Sequence, residues 1–597
     1  MKKGTWIVAA SRIASVLGVV VILGMLPWLS ARDPALSILR ARSAEQEATE
    51  EALDAIRQDL GLDVGPVRMF WNWFTGLLQG DFGNSWNTGR PVLPGALDAL
   101  GVSLTLMGCA IVVALVVATI VVFPSLRAGL RGKPRRTAGA GAATLTSLPE
   151  FLLASLLVVI GAVWLSFPAY GWSGPEYVVL PALALGLPAG GLIGRLLADA
   201  VAVTFTEGWV TTWTVAGFSR RQIAVAVLRR ALPGLTSQVG LVMVAMTGGA
   251  VAVEKVFAIP GLGRTTLGDA QSQNLPGLQV DVLLLLAISA VLGIAAEVLR
   301  RAMLGSALRG GSMPIPSGVF APSPRRWVIP IAAASALVIM VLAGLGRDPF
   351  FATPQKFAPP STEFPFGTDA SGRDLLARVS EGAVSTISLS LAVTLGCFVV
   401  GLAFGLIPRA SRGLIEVSNA APPVVTGILI AAVWGPSAGG AAVAILLVTW
   451  APLAAHTAAL VDEARARPYI AILPTLGASE ARILFGSIVP SVVPAVLRHA
   501  VLRLPGVALA LAALGFLGLG PQPPTPDWGL ILSDGVASVE RAPWVVLAPL
   551  SSLVALAVLA ISLASATSGR ARKTGSPEKR FEAPTPEVDA GASKASD

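Results

Sequence analysis

"TLGASEARILFGSIVPSVVPAVL", residues 475–497, lies between two strongly apolar runs of the chain. It carries Glu480 and Arg482, yet its later half climbs straight back into Val, Leu and Pro. A short, Gly-punctuated polar helix between apolar runs is what a chain makes when it leaves a membrane briefly and returns. Its meaning depends on whether those flanks are spans.

The composition says that they are. Of 597 residues, 54% are hydrophobic and only 13% are charged, whereas a soluble domain carries about 25% charge. Many apolar runs reach the roughly 20 residues needed to cross a bilayer as helix. The fold class expected is an all-α polytopic membrane protein of about twelve transmembrane helices in two six-helix halves. They are placed near 8–28, 100–123, 141–165, 178–200, 234–256, 281–304, 327–345, 383–407, 414–434, 439–461, 490–514 and 544–566. The opening "MKKGTWIVAASRIASVLGVVVILGMLPWLSA" has the charged head and apolar body of a signal peptide. Leu29-Ser30-Ala31 makes a poor cleavage site, however, so the segment reads as a retained first span.

The net charge of +9 follows from Lys/Arg-rich cytoplasmic loops rather than from nucleic-acid binding. "RAGLRGKPRR" (127–136), "SRRQIAVAVLRR" (219–230), Arg300, Arg301, Arg309, Arg325, Arg326 and "GRARKTGSPEKR" (569–580) all fall on one side of the spans. That side is inside by the same bias, which puts both termini in the cytoplasm of a multi-pass cell-membrane protein. Cys109 and Cys397 sit inside apolar runs and predict neither a disulfide framework nor a metal site. His456 and His499 are far apart in sequence, and each reads as a structural residue rather than a metal ligand.

The longest external region runs over 31–98. Within it, "SAEQEATEEALDAIRQDLG" (43–61) predicts a helix with a capping box from Ser43 and Gln46, closed by Gly61. "VRMFWNWFTGLL" (67–78) repeats apolar residues at helical spacing, as a helix at the outer membrane interface does. Residues 305–326 are rich in Gly, Ser and Pro and read as a cytoplasmic linker between a first half, 1–304, and a second, 327–566. The polar tail, 567–597, reads as disordered and cytoplasmic.

The opening stretch has a counterpart in "VAGFSRRQIAVAVLRRALPGLTSQVG" (215–240). Both begin at Gly-x-Ser, continue as a helix and enter a span through a proline, and both lie between the fourth and fifth spans of their half. Gly permits the sharp turn that a side chain would hinder. A short helix lying across the membrane axis and ended in this way can pass a push from a soluble partner into the next span. Two such loops at equivalent places point to a duplicated architecture.

Each loop resembles the coupling loop of binding-protein-dependent ABC importer permeases. Further motifs resemble the dipeptide/oligopeptide/nickel branch of that family: "LGLDVGPVRMFWNWFTGLLQGDFGNSWNTGRPV" (60–92) and "GGAVAVEKVFAIPGLGRTTLGDA" (248–270) one permease subunit, "FGTDASGRDLLARV" (366–379), "LGASEARILFGSIVPSVVP" (476–494) and "LGFLGLGPQPPTPDWGLIL" (514–532) the other. The resemblance spans nearly the whole chain and implies a natural fusion of the two subunits. It also implies ATPase coupling through Trp213, Thr214, Val215, Ala216, Gly217, Ser219 and Arg220 in the first loop and through Ile472, Leu473, Thr475, Gly477, Ser479 and Glu480 in the second. The family's Glu-Ala pair before the loop Gly is replaced here by Thr212-Trp213 and Ala471-Ile472. Pro474 falls in the second presumed coupling helix, where it disrupts unless it occupies the first turn.

The chain has no G-x-x-x-x-G-K-[ST] phosphate loop. No catalytic residue and no cofactor or metal bound by this chain is expected; ATP and Mg belong on partner ATPases. The resemblance implies two such ATP-binding-cassette subunits or one fused ATPase, together with an extracytoplasmic substrate-binding protein, around a permease embedded in the lipid bilayer and free of nucleic acid. Di- or oligopeptides are the cargo it implies first; nickel chelates, opines, glutathione and glycosides belong to the same branch. Six further residues mark the passage or external loops. Glu254, beside Lys255 at the end of a span, either pairs with it or lines the path. Asp369, Arg373 and Asp374 either order a turn or meet the binding protein. Asp527 and Trp528 belong to "PQPPTPDWG" (521–529), a rigid external loop. Two other classes fit twelve spans in two halves: an ion-driven secondary transporter, for which no convincing mid-membrane carboxylate stands out, and a non-transporting membrane scaffold or sensor.

Overall fold

A computed structural model of the chain describes residues 2–30, 33–42, 47–133, 149–168, 170–304 and 327–567. The expected linker 305–326 and all but the first residue of the tail 567–597 lie outside these residues.

The described residues are helical throughout their ordered elements. In the first half the principal helices are α1 (Lys2–Gly24), α2 (Glu50–Asp59), α3 (Pro66–Gln79), α4 (Val92–Leu130), α5 (Glu150–Leu157), α6 (Glu176–Thr204), α7 (Gly208–Val215), α8 (Arg220–Ala231), α9 (Thr236–Val256), α10 (Leu262–Gln271) and α11 (Leu275–Leu304). The second half follows with α12 (Val328–Gly344), α13 (Leu375–Gly405), α14 (Pro408–Ala420), α15 (Pro423–Trp434), α16 (Ala438–Arg465), α17 (Pro468–Ala471), α18 (Val489–Phe516), α19 (Trp528–Val536) and α20 (Trp544–Thr567). Helix lies within each of the twelve predicted spans, and the first eight residues of the third, 141–148, lie outside the described residues. Among the described residues, seven helices are long and apolar enough on their own to cross a membrane. Glu150–Gly161, Val328–Gly344 and Trp544–Ala560 are shorter apolar helices.

Two expectations need correction. The ninth span, 414–434, is not one straight helix: Ser411–Asn419 and Pro423–Trp434 meet at 95°. Pro422 and Pro423 cause the break, because a proline inside a helix lacks the N–H donor and its ring clashes with the preceding turn. The external helix does not run from 43, because residues 47–49 are non-helical and Thr49 caps α2 by accepting from Ala52 N–H. Ser43 and Gln46 lie outside the described residues. Gly61 does close this helix at φ +66°.

The two halves repeat one packing scheme. Its most extensive pairings are α4 with α6 and α13 with α16. Lipid offers no hydrophobic drive between helices, so small residues that admit close backbone approach hold such pairs together. Gly186, Gly190 and Gly194 on α6 lie over Ala110, Ala114 and Ala118 on α4, and a Cβ on Gly190 would sit 2.5 Å from the Ala114 carbonyl oxygen. Gly401 and Gly405 on α13 meet Leu453, Ala454 and Thr457 on α16 in the same way. A continuous apolar core joins both halves, drawing Val251 and Phe257 from the first and Ile428 and Phe516 from the second. The most extensive contact between the halves is that of α1 along α14.

Candidate coupling surface and translocation cavity

The two Gly-x-Ser loops take the same form. In the first, α7 ends at Ala216, Gly217 turns at φ +82°, and Ser219 caps α8 in a capping box with Gln222. In the second, α17 and a 3-10 turn over Leu473–Leu476 lead to Gly477 at φ +80°, and Ser479 then accepts from Arg482 N–H. Pro474 sits in the first turn of that 3-10 segment, where a proline costs no hydrogen bond. The loops match in register. Val210 and Ile470, seven residues before each Gly, are both buried, and so are Ile223 and Ile483 after it. Each loop is therefore pinned on both sides while its tip stays outside.

The tips expose apolar side chains. Val215 is 84% exposed and Leu476 72%, with Ile472 and Phe485 also open. Trp213 stacks on Phe218 with ring centres 4.5 Å apart and meets Trp209 edge-on, which stiffens the first tip. Thr214, Ala216 and Arg220 share that tip, and Thr475 donates to the Ile472 carbonyl in the second. The charges differ at equivalent places: Arg220 follows the first serine and Glu480 the second, where it faces Arg465 at 3.5 Å.

Between the halves lies a cavity of about 470 Å³, walled by Ala189, Met246, Gly249, Val424, Ala510 and their neighbours. Its lining is apolar except for Glu150, the first residue of α5. Phe151 beside it packs on Phe516 of α18, ring centres 5.5 Å apart. On the far side of Phe516 a second cavity opens, lined by Tyr170, Lys255, Ser533, Glu540 and Arg541. Lys255 spans the two halves: its Nζ donates to the Phe516 carbonyl at 2.6 Å and to Ser533 Oγ at 3.2 Å. Phe151 lines the first cavity, Lys255 and Phe516 line the second, and the contact of the two phenylalanines links their walls.

Glu254 and Lys255 do not pair. The Glu254 carboxylate accepts from Ser103 Oγ at 2.6 Å and from Arg264 N–H at 3.0 Å, and Ser103 Oγ accepts from Leu262 N–H. Glu254 thereby satisfies the free N-terminal donors of α10, in the place of a cap. Gly261 and Gly263 leave it room, since a Cβ on Gly261 would lie 2.4 Å from its carboxyl carbon. Asp527 does the same for α19, accepting from Gly529 and Leu530 N–H. Trp528 is fully buried and donates Nε1–H to the Val379 carbonyl. Both residues therefore face the protein and not the outside.

Asp369 accepts from the N–H groups of Ser371 and Arg373 at 2.8 and 3.0 Å and from Arg373 Nε at 2.9 Å. It also pairs with Arg378, which is 2% exposed. Burial alone would raise its carboxyl, but the Arg373 N–H and the guanidinium charges of Arg378 and Arg373 hold it below the usual carboxylate range. Asp374 caps α13 through Leu376 N–H and receives Arg347 at 2.6 Å. The stretch 366–374 is a folded turn leading into α13, and these charges serve one another.

Sequence patterns alone did not single out Glu150, Phe151, Phe516 or Arg378. Nor did they show that His456 and His499 stack at 4.5 Å between α16 and α18. The signal for the first pair was present in "LPEF" (148–151), whose proline opens α5 as Pro423 opens α15. Among the described residues, no group of three or more His, Cys, Asp or Glu side chains is placed to hold a metal.

Comparison with known proteins agrees with this architecture. The model of the family "Binding-protein-dependent transport system inner membrane component" matches residues 110–305 and again 371–573. A di/tripeptide transport system permease protein of Pseudomonas aeruginosa is 32% identical over 225 residues, covering 36% of this chain and 74% of its own length. A dipeptide transport system permease protein of Alkalihalophilus pseudofirmus is 33% identical over 213 residues, 34% of this chain and 69% of the relative. A peptide transport system permease protein of Escherichia coli is 31% identical over 208 residues, with 34% and 70% covered. Matched over more than half its length and twice along it, the chain belongs to the binding-protein-dependent transport system inner membrane component family, as one polypeptide with two permease units.

Proposed function

We propose that this chain by itself forms the whole membrane passage of a peptide importer, with ATP hydrolysed on separate ATPase chains. The observation that carries this is the pair of matched, apolar-tipped loops on two halves that enclose one cavity. Each loop docks on an ATPase, either two subunits or two faces of one fused chain, and drives its half through the span that follows. The loop residues from Trp213 to Arg220 and from Ile472 to Glu480 form the contact. Peptide cargo is supported by the relatives, which are peptide permeases by name. ATP and Mg sit on the partners, in keeping with the missing phosphate-loop motif.

The passage works by alternating access. In this reading the contact of Phe151 with Phe516 and the bond from Lys255 to the Phe516 carbonyl close the outer end of the passage. Docking of a loaded binding protein outside, and closure of the ATPases inside, would part these groups and open the inner cavity outward. Both termini, the linker 305–326 and the tail lie in the cytoplasm, while 31–98 lies outside. The decisive experiment is uptake of labelled trialanine into proteoliposomes holding this chain, its ATPases and its binding protein. ATP-dependent accumulation is expected. Accumulation driven equally well by an ion gradient without ATP would overturn the reading, as would an active complex in which neither Trp213 nor Leu473 crosslinks to an ATPase.

A further inference from the structure

Glu150 has no evident duty in the fold. An acidic residue in the first turn favours a helix through its dipole, by about 0.3–1 kcal/mol. Yet the equivalent helix of the second half starts from Pro422-Pro423-Val424 without any acid, and Val424 lines the same cavity. The helix can therefore begin at this place without a carboxylate. Among the described residues, Glu150 is the single charged one on the wall of the inner cavity, and no Lys or Arg lines that wall to neutralise it. Its carboxyl carbon lies over Gly249, where a Cβ would come within 3.0 Å, so the α9 wall is hollowed to seat it. An ionisable group in the membrane interior is costly and is kept where it meets a partner. Among the described residues, it is the cavity that leaves room for that partner. Glu150 also adjoins Phe151, half of the aromatic contact that closes the outer end.

We propose that Glu150 is a cation-recognising site in the passage: its carboxylate receives ammonium or guanidinium groups of cargo in transit and sets a preference for positive over negative cargo. This rests on the cavity being the passage of a peptide importer. The carboxylate attracts a cation, offsetting what the cation loses in leaving water, whereas an anionic side chain meets like charge in an apolar, weakly screened space. The binding protein selects what arrives; Glu150 then weights what goes through.

Two measurements test the assignment separately from the peptide reading. In proteoliposomes with the ATPases and saturating binding protein, initial uptake of alanyl-lysyl-alanine, trialanine and alanyl-glutamyl-alanine is compared for the wild type, Glu150→Gln and Glu150→Asp. The lysyl-to-glutamyl rate ratio should be about tenfold in the wild type, equivalent to about 1.4 kcal/mol. It should fall to within about twofold in Glu150→Gln and keep its direction in Glu150→Asp. Stimulation of the ATPases by loaded binding protein is measured alongside, to identify active complexes. An unchanged ratio in an active Glu150→Gln complex would overturn the site.

The second measurement needs no cargo. Both native cysteines are replaced by serine and Ala245, on the cavity wall, is replaced by cysteine. Reaction with cationic and anionic thiol reagents is then timed in the full complex with Glu150 or with Gln. The cationic-to-anionic ratio should drop about tenfold on neutralisation. If it drops while the wild type moves none of the three peptides, the peptide reading fails and the site stands. If it does not drop, or neither reagent reaches the cysteine, the site is refuted whatever the cargo.

Discussion

Arg378 is the residue on which the turn before α13 depends. It is 2% exposed, held by Asp369 from a turn that is itself tied by Ser371 and Arg373. Removing one member of a buried pair leaves an uncompensated charge, at a cost of about 3–5 kcal/mol, whereas replacing both by apolar residues of similar size is often neutral. Asp369→Asn should therefore lower the melting temperature of the purified protein sharply, and Asp369→Leu with Arg378→Met should recover most of the loss. A double variant no better than the single would show that the turn, and not the pair, carries the stability. The same carboxyl gives a pH dependence. Its folded value is depressed from 3.8, so its contribution is complete above that value and is lost as pH falls through the lower folded one. Limited proteolysis of 350–374 should accelerate only in that acid range; acceleration near neutrality would exclude Asp369 as its cause. Sequence showed Asp369 as a turn former because Asp two residues before a free N–H is a local signal. It could not show Arg378 as the partner, since an arginine at the head of an apolar helix looks the same whether it is paired or exposed.

At the level of elements, Gly217 and Gly477 are the positions most open to a clean test. Both have positive φ, and a Cβ added at either would meet open space, so a side chain there meets backbone strain of roughly 1–2 kcal/mol and no clash. Gly217→Val and Gly477→Val should insert normally but reshape the tips that present Val215 and Leu476, reducing ATP-driven uptake at least several-fold. Full activity of both would deny the loops a coupling role. The unlike charges at Arg220 and Glu480 lead to a second expectation: photo-crosslinkers at 213 and 473 should label different ATPase surfaces, and identical patterns would remove the asymmetry. Element identity was largely legible, because hydropathy and helical spacing are carried by many residues at once. Direction was not. The bend between α14 and α15 hid inside one apolar run, for a mean hydropathy contains no axis, although Pro422-Pro423 marked the place. The glycine ladder at 186, 190 and 194 was equally visible as small residues one turn apart. Its partner on α4 was not, since nothing local says which helix an alanine stripe will meet.

Across the whole molecule, the two halves meet at a closure that one lysine completes. Lys255 makes two charge-assisted hydrogen bonds into the second half, each worth about 1.5–3 kcal/mol. Lys255→Ala should shift the passage toward outer opening, so that a cysteine at Ala252, on the inner cavity wall, reacts at least tenfold faster with a membrane-impermeant thiol reagent added outside. No change in that rate would place the closure elsewhere. The twofold plan and the cavity between the halves were foreseeable from the matched loops; the charge that breaks its symmetry was not, because only the folded chain brings Glu150 and the acid-free start of α15, Pro423-Val424, to one cavity wall. The crossing of α1 onto α14 has its own consequence, which is one of time. Nearly four hundred residues separate the end of α1 from its partner, and at about 5–20 residues per second a ribosome needs on the order of 20 to 80 s to supply it. Throughout that interval the first helix waits for a neighbour that is not yet made. A chain stopped at residue 304 should therefore be cleared quickly by membrane proteases in pulse-chase, and supplying 327–597 from a second gene should lengthen its half-life.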